Sequence, residues 1–515
     1  MKEYDVVIIG GGISGAGTAR DCALRGLSTL LVEKGDLAGG ATGRNHGLLH
    51  SGARYAVTDR ESAAECIREN RILRRIASGC VEQTGGLFVT LPEDDIAYQK
   101  TFIESCRAAG IPAEAVDPRE ALRLEPSVNP AIIGAVRVPD ASVDPFRLTS
   151  VNMLDAILHG AEVLTYHEVV GFVRDAGRIA GVRLRSRSGG EFEVRARITV
   201  NAAGIWGQGI AAMAGVNISM YPAKGSLLVF GHRVNRMVIN RCRKPANADI
   251  LVPGDVVCVL GTTSTKLPFE ECDDIRVNRD EVSQLIEEGC RLAPGLATTR
   301  VLRAYAGVRP LVASDDDPTG RSISRGIVLL DHESRDGLPG FVTITGGKLT
   351  SYRLMAEKVT DLICSKLGLN VRCSTAVRPL PGSEDRRIVA RDSLGRKAAA
   401  GRHGSLVAGM DFADKSEVVC ECEHVTRAEI EYAVRRLDVH NLIDLRRRTR
   451  IGMGTCQGSF CTGRVAVVLA EVLGCPEKAP EFVREYVTER WKGITPVCWG
   501  DCLREMEFMR KQYGK

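Results

Sequence analysis

Tyr4-Asp-Val-Val-Ile-Ile-Gly-Gly-Gly-Ile-Ser-Gly-Ala-Gly17 decides the fold. The run Tyr4–Ile9 is apolar and β-branched, which favours a strand. Gly10, Gly12 and Gly15 then fill a G-x-G-x-x-G pattern, Thr18 to Gly26 reads as helix, and Thr29 to Glu33 reads as a second strand. Strand, glycine turn, helix, strand is a βαβ unit that opens a parallel sheet. Gly10 permits the tight turn, Gly12 lets the backbone approach a pyrophosphate, and Gly15 lets helix and strand pack closely. The helix N-terminus then offers free N–H groups and a positive dipole end to phosphate. Glu33 ends the second strand, where a carboxylate can accept ribose hydroxyls. The alternative is a glycine-rich turn in an α/β domain that binds no dinucleotide.

The chain has 515 residues, enough for about three domains at roughly 150 residues each. Apolar residues make up 44% and charged residues 26%, the balance of an ordinary soluble globular protein. A net charge of +5 is small for this length and does not argue for nucleic acid. No stretch approaches the ~18 consecutive apolar residues of a membrane span. Glu3 and Asp5 flank the first apolar run, unlike a secretory leader, so a cytoplasmic location is expected. The 17 cysteines are an odd count without a leader, so a disulfide framework is not expected.

After Glu33 the loop Ala41–Tyr55 is small and polar, and suits an extended cofactor lying along the protein. Ser62–Ala77, Ile96–Ala109, Phe146–His159 and Asp280–Leu292 read as helices, and Leu87–Leu91 and Val182–Val200 as strand regions. Pro112–Pro145, rich in proline and acidic residues, reads as turns across the substrate side. Tyr221–Thr263 reads as a mostly antiparallel second domain. Two more strands end in small-residue turns, Ile198–Gly207 and Phe341–Gly347. The second leads into a helix to Leu367 whose N-terminus, beside Gly347, can face an anion. One complete fingerprint with glycine-rich strand ends at 201–207 and 340–348 favours a single long cofactor wrapped by several segments, FAD over NAD.

Near the C-terminus, Cys420 and Cys422 form C-x-C, and Cys456 and Cys461 form C-x₄-C. Two thiolate pairs can hold a [2Fe–2S] cluster or zinc, and C-x-C spacing leans away from zinc. Arg446, Arg447 and Arg448 lie between the pairs, where guanidiniums would stabilise an anionic cluster and raise its potential. Cys498 and Cys502 read as core cysteines at helical spacing. Trp499, Cys502, Leu503, Met506, Met509 and Tyr513 form an apolar face suited to a partner rather than to lipid.

The stretches ATGRNHGLLHSGARYAV (41–57), VNAAGIWG (200–207), PAKGSLLV (222–229), RCRKPANADILVPGD (241–255), AYAGVRPLVASDDDP (304–318), TITGGKLTSYRLMAE (343–357), VCECEHVT (419–426) and DLRRRTRIGMGTCQGSFC (444–461) resemble the FAD-dependent glycerol-3-phosphate dehydrogenases. Within that family, the chain looks like the large catalytic subunits of the three-subunit anaerobic enzymes. The resemblance covers nearly the whole chain. It implies an α/β fold: a Rossmann-like FAD-binding domain with an inserted, mostly antiparallel α+β substrate domain, and a small bacterioferritin-associated-ferredoxin-like [2Fe–2S] domain. The oxidoreductase unit spans 1–373, with FAD-binding parts at about 1–85, 145–215 and 305–373 and a substrate domain at about 86–144 and 216–304. A linker (374–415), the cluster domain (416–475) and a docking tail (476–515) follow.

The resemblance further implies oxidation of sn-glycerol 3-phosphate to dihydroxyacetone phosphate, with electrons leaving through the cluster to the quinone pool. Arg54, Tyr55, Arg309, Arg325 and Lys348 would line the substrate pocket. Guanidiniums suit a phosphate because they give bidentate, charge-assisted bonds. His50 is the candidate base or flavin contact; the histidine that aerobic relatives carry after Lys-Gly-Ser is replaced here by Leu227, so the proton acceptor stays open. Catalytic weight falls on Arg309, Arg54, Lys348 and His50. The FAD contact set is Gly10, Gly12, Ser14, Gly15, Glu33, Lys34, Thr42, Asn45, His46, Gly47, Leu49, Ala203, Gly204, Trp206, Gly346, Gly347, Lys348, Leu349 and Thr350. Cys420, Cys422, Cys456 and Cys461 would hold the cluster. FMN at a subunit interface fits the same resemblance. The implied partners are a second flavoprotein-like subunit plus a membrane-associated iron–sulfur subunit, which would keep the chain peripheral on the inner face of the cell membrane. Two alternatives are an FAD-dependent dehydrogenase of a 2-hydroxy acid or amine, and an electron-transfer subunit reduced by a partner protein.

Overall fold

The computed structural model describes residues 2–312, 326–383, 393–413 and 417–513. Strand β1 (Glu3–Ile9), helix α1 (Ile13–Leu24) and strand β2 (Thr29–Val32) form the expected βαβ unit. Its close packing rests on glycine. A Cβ on Gly15 would stand 1.9 Å from the Gly10 carbonyl oxygen, and Gly10 itself holds φ +114°. β1 pairs in parallel with Glu191–Asn201, which pairs in parallel with Phe341–Gly346. The sheet therefore brings three strand ends, near Gly10, Asn201 and Gly346, to one edge, where an open parallel sheet binds its ligand. α1, Pro145–Leu158 and Tyr352–Leu367 cover one face, over a core that includes Ile8, Leu31, Val200, Val342 and Val359.

The second sheet has nine strands, antiparallel except where Val238–Arg241 runs parallel to Gly86–Thr90. Its longest pairing joins Met220–Phe230 to Val301–Val312, with Arg309 opposite Ala223 and Gly307 opposite Gly225. Pro112–Pro145 is not the run of turns its composition suggests. It holds strands Glu114–Val116, Gly134–Val138 and Ala141–Val143 and the helix Pro118–Leu124. Pro118 and Pro145 each follow an aspartate that caps a helix, Asp117 and Asp144, so these prolines open helices.

Residues 418–472 form strands Val418–Cys420 and Val425–Thr426 and helices Arg427–Arg436, Leu442–Thr449 and Thr462–Val472. This module is fastened to the first sheet. Asp36, just after β2, accepts from Arg447 (2.7 Å) and is clamped by Arg448. Burial opposes the Asp36 charge, but Arg448 and Arg447 outweigh it and hold the carboxyl below its ordinary range. Tyr166 donates to Asp444 (2.6 Å), and Arg450 meets Asp144 and Asp255. From sequence, Arg446–Arg448 read as neighbours of the cluster. Arg447 and Arg448 instead face the flavin-side domain, because the helix Leu442–Thr449 turns them toward Asp36. The arginines near the sulfurs are Arg464, which donates to Val419 O, and Arg490, which donates to Ser459.

The segment before the module carries short helices, as expected of a linker read with short helices over 374–415. Helix Leu394–His403 places Arg402 and His403 on the buried Glu429, at 2.6 and 2.8 Å. Burial pushes the Glu429 carboxyl up, yet Arg402 and His403 overcome it and pull it down to about 2. Burial lowers His403, favouring its neutral ring. A depressed carboxylate contributes stability above its unfolded pKa of about 4.3 and loses it as pH falls toward the folded value. His403 acts in the same direction, since its unfolded form takes up a proton first. Glu429→Gln should therefore destabilise by about 3–5 kcal/mol at neutral pH and flatten the loss of stability between about pH 5 and pH 3. Urea unfolding of both proteins at several pH values checks this, and parallel pH curves would refute it.

Beyond Val472, the helix Ala479–Ile494 packs on Val301–Val312, and a Cβ at Gly493 would meet the Ala304 oxygen at 2.6 Å. Helix Gly500–Tyr513 follows, with Trp499 and Phe508 exposed. Cys498 lies before that helix, buried beside the second-sheet core residue Val497, with its sulfur 3.8 Å from Cys502. Among the described residues, no helix is long and apolar enough to cross a membrane.

Candidate functional site

A cavity of about 1210 Å³ runs from the glycine turn to the second sheet. At its first end stand Gly10, Gly12, Ser14, Glu33, Lys34, Thr42 and Trp206. Some helices of the chain are capped by side chains, among them Asp59, Asp144, Asn278 and Asn441, and others are not. α1 has no side-chain cap at Gly12 and no acid in its first turn, which leaves its positive end for an anionic group. A Cβ on Gly12 would meet only Thr42 Oγ1, at 3.3 Å, so that face is open toward the cavity. Glu33 is held by the Gly11 and Gly35 N–H groups, at 2.6 and 2.8 Å. Burial raises its pKa, and a buried carboxylate there fits a sugar hydroxyl. Lys34 lies over the Trp206 ring and pairs with Asp273. This donor set fits FAD.

Several expected contacts stand behind the wall rather than on it. Gly15 packs against Gly10, and Leu49 is fully buried. Thr350 accepts the His50 N–H (3.1 Å), and Gly47 faces a second cavity. The α-helix after Gly346 and Gly347 starts only at Tyr352, after a 3₁₀ turn at Leu349–Ser351. Two successive positive φ values, +71° and +63°, consume the turn that the sequence suggested as a helix start. His167, Glu168 and Val169 also line the cavity, as does Arg447 from the C-terminal module. No local motif marks these residues, since their placement depends on the pairing of distant strands.

At the other end the cavity is basic. Lys348 Nζ sits 4.6 Å from the centre of the Tyr55 ring. The His50 ring lies 5.3 Å from Tyr55 and 5.8 Å from His46. Arg309 reaches this end from the long strand pair. Its Nη2 donates to Thr262 Oγ1 (2.6 Å) and Thr263 O (3.1 Å), and its Nη1 to Lys224 O (3.2 Å). These acceptors hold the guanidinium in one orientation. Gly225 makes the room: a Cβ there would stand 2.5 Å from Arg309 Nη2. Arg54 also lines the cavity but is tied to Asp249 (3.0 Å), as is Arg243 (2.8 Å). Burial opposes the Asp249 charge, and the two guanidiniums outweigh it. Asp249 is far from Arg54 in sequence, so this compensation of an expected phosphate ligand was not readable there. Arg325 lies outside the described residues.

The four cysteines converge. Cys420 and Cys422 sulfurs are 3.9 Å apart, and Cys422 and Cys456 are 3.7 Å apart. The four thiols bond to one another, which lowers Cys420 and Cys456 and raises Cys422 and Cys461. Backbone N–H groups of Gly452 and Glu423 add to this at Cys420, and those of Phe460 and Gly458 at Cys456. N–H donors of this kind suit bound thiolates. The loop is shaped by glycines: a Cβ on Gly452 or Gly458 would strike Tyr486 Oη at 2.1 or 2.4 Å, and one on Gly454 would strike Cys422 Sγ at 2.6 Å. Four thiolates in two pairs can hold a binuclear cluster, which takes two thiolates per iron.

Comparison with known proteins agrees with this geometry. Residues 5–353 match the FAD dependent oxidoreductase family, and residues 418–471 match the BFD-like [2Fe-2S] binding domain. The chain is 58% identical to a subunit of the anaerobic glycerol-3-phosphate dehydrogenase of Escherichia coli, over 99% of this chain and 96% of that one. It is 44% identical to a subunit of the same-named enzyme of Haloferax volcanii, over 98% and 89%. Among solved structures, the glycerol-3-phosphate dehydrogenase of Bacillus halodurans complexed with FAD superposes with a TM-score of 0.72 at 23% identity, covering 97% of both chains.

Proposed function

This chain belongs to the FAD dependent oxidoreductase family, and from that premise we propose that it oxidises sn-glycerol 3-phosphate to dihydroxyacetone phosphate. The observation that carries the reading is the basic lining of the dinucleotide cavity, to which Lys348, Arg309, His50 and Tyr55 all contribute. Near-full-length identity to relatives named for this activity supports it.

Bound FAD supplies the acceptor for the hydride from C2. The chain's own residues do the rest. Lys348 and Arg309 attract and orient the dianionic phosphate, and holding it fixes the C2–H bond, since positioning carries much of the rate. Arg309 is anchored by Thr262, Thr263 and Lys224, so it arrives with little side-chain entropy left to lose. Arg54, shared with Asp249, shapes the wall beside Tyr55. We assign the hydroxyl proton to His50, whose ring lies 5.3 Å from that of Tyr55 at this end of the cavity.

The [2Fe–2S] domain marks the exit for electrons, and the acceptor is a partner protein. Phe460, adjacent to the cluster ligand Cys461, is 79% exposed, and Trp499 and Phe508 are exposed on the C-terminal segment. Large apolar side chains left in water suit a protein interface. We place the chain on the cytoplasmic face of the membrane, held there by partner proteins that deliver electrons to quinone.

Anaerobic titration of the isolated chain with sn-glycerol 3-phosphate tests the substrate. Rapid bleaching of the flavin band is expected, and an unchanged flavin spectrum would refute the assignment. Arg309→Ala should retain FAD yet lose roughly 3 kcal/mol of transition-state binding, about a hundredfold or more in kcat/KM, from a lost charge-assisted phosphate contact. An unchanged kcat/KM would remove Arg309 from the phosphate site.

A further inference from the structure

A second cavity of about 410 Å³ lies behind the loop Ala38–Gly47, between the flavin-side domain and the cluster module. Its walls carry Arg44, Arg303 and Arg446. The carboxylates around it already have cationic partners: Glu82 with Arg233, Asp144 and Asp255 with Arg450, Asp273 with Lys34, and Asp274 and Glu489 with Lys492. Arg303 and Arg446 are different. Nε of each is sealed from solvent without an acceptor among the described residues. Arg303 lies against the Tyr305 ring, an uncharged neighbour. Burial, joined by the neighbouring Arg303 and Arg447 charges, lowers Arg446 to about 9, with Tyr486 and Glu489 opposing the shift. Guanidiniums whose Nε groups are sealed from solvent beside one cavity are costly unless an acceptor answers them.

We propose that this cavity is an anion site for a phosphate-bearing small molecule, distinct from the substrate pocket. Guanidinium forks favour phosphate through paired N–H donors, and the volume exceeds what inorganic phosphate alone would fill. Placed between the loop that lines the flavin cavity and the cluster module, the occupant would also close the charge balance of that joint.

Equilibrium dialysis of the FAD- and cluster-loaded chain against inorganic phosphate, counting bound phosphate per chain, tests this. The wild type should hold two, one in the substrate pocket and one here. Arg446→Gln should hold one, with affinity at the lost site weakened at least roughly tenfold. Arg303→Gln provides an independent variant should the first fold poorly, and Arg446→Lys should restore part of the binding. FAD content and cluster absorbance should not change in any of them. Equal phosphate counts in wild type and both glutamine variants would overturn the proposal and assign all binding to the substrate pocket. A single phosphate in the wild type, with Arg446→Gln raising the thermal midpoint, would overturn it in favour of a partner's carboxylate or no occupant.

Discussion

Gly15→Ala is expected to abolish FAD retention. The added methyl would stand 1.9 Å from the Gly10 carbonyl oxygen, a backbone atom that cannot rotate away. α1 must then move off the turn, and with it go the N–H groups that face the pyrophosphate. Overpacking against a fixed backbone atom costs about 3 kcal/mol, the upper end of the usual range, or about two orders of magnitude in cofactor affinity if the bound state bears it. Gly12→Ala separates the two roles of the fingerprint. Its methyl would meet only Thr42 Oγ1 at 3.3 Å and would otherwise enter the cavity. That variant should keep the wild-type thermal midpoint without cofactor while binding FAD more weakly. Flavin content after gel filtration and thermal unfolding of the apoprotein read the two effects. Full flavin occupancy in Gly15→Ala would break the link between this contact and the cofactor.

The same glycines explain why the fold was legible. A G-x-G-x-x-G run between an apolar strand and a helix is a local pattern, and local patterns depend on neighbours in sequence. Glu33, Gly346, Gly347 and the four cysteines were readable for the same reason. What was hidden involved partners far apart. Arg54 meets Asp249, Arg448 meets Asp36, and Arg402 meets Glu429 through strand order and domain docking. Nothing in the composition of Arg446-Arg447-Arg448 tells which of its charges turns to a carboxylate and which to a cavity. The stretch Pro112–Pro145 misleads because proline reads as a turn signal, whereas Pro118 and Pro145 occupy first helical positions where proline lacks nothing.

Cys456→Ser is expected to uncouple the two halves of the reaction. The hydroxyl is a poor replacement for a thiolate that meets Cys422 Sγ at 3.7 Å and receives backbone N–H groups from Gly458 and Phe460. Loss of a direct ligand should exceed the roughly 10–100-fold cost of losing a residue that only supports a ligand, so the cluster bands should vanish. The polypeptide should survive the change. Tyr486 still bonds to the Gly452 and Gln457 carbonyls (3.2 and 3.0 Å), and the docking pairs at Asp36 and Glu429 lie elsewhere. The substrate end is untouched, since Lys348, Arg309 and His50 belong to the other domain. Glycerol 3-phosphate should therefore still bleach the flavin at the wild-type rate, while turnover with the partner-linked acceptor falls at least roughly a hundredfold. Cys498→Ser, at a sulfur pair outside the module, should change neither reading. If Cys456→Ser kept full acceptor turnover, electrons would leave the flavin by a path that bypasses the cysteine module, and its docking at Asp36 would be structural alone. If flavin bleaching slowed with it, the cluster module would be shaping the substrate end through Arg447, the residue that it places in the flavin cavity.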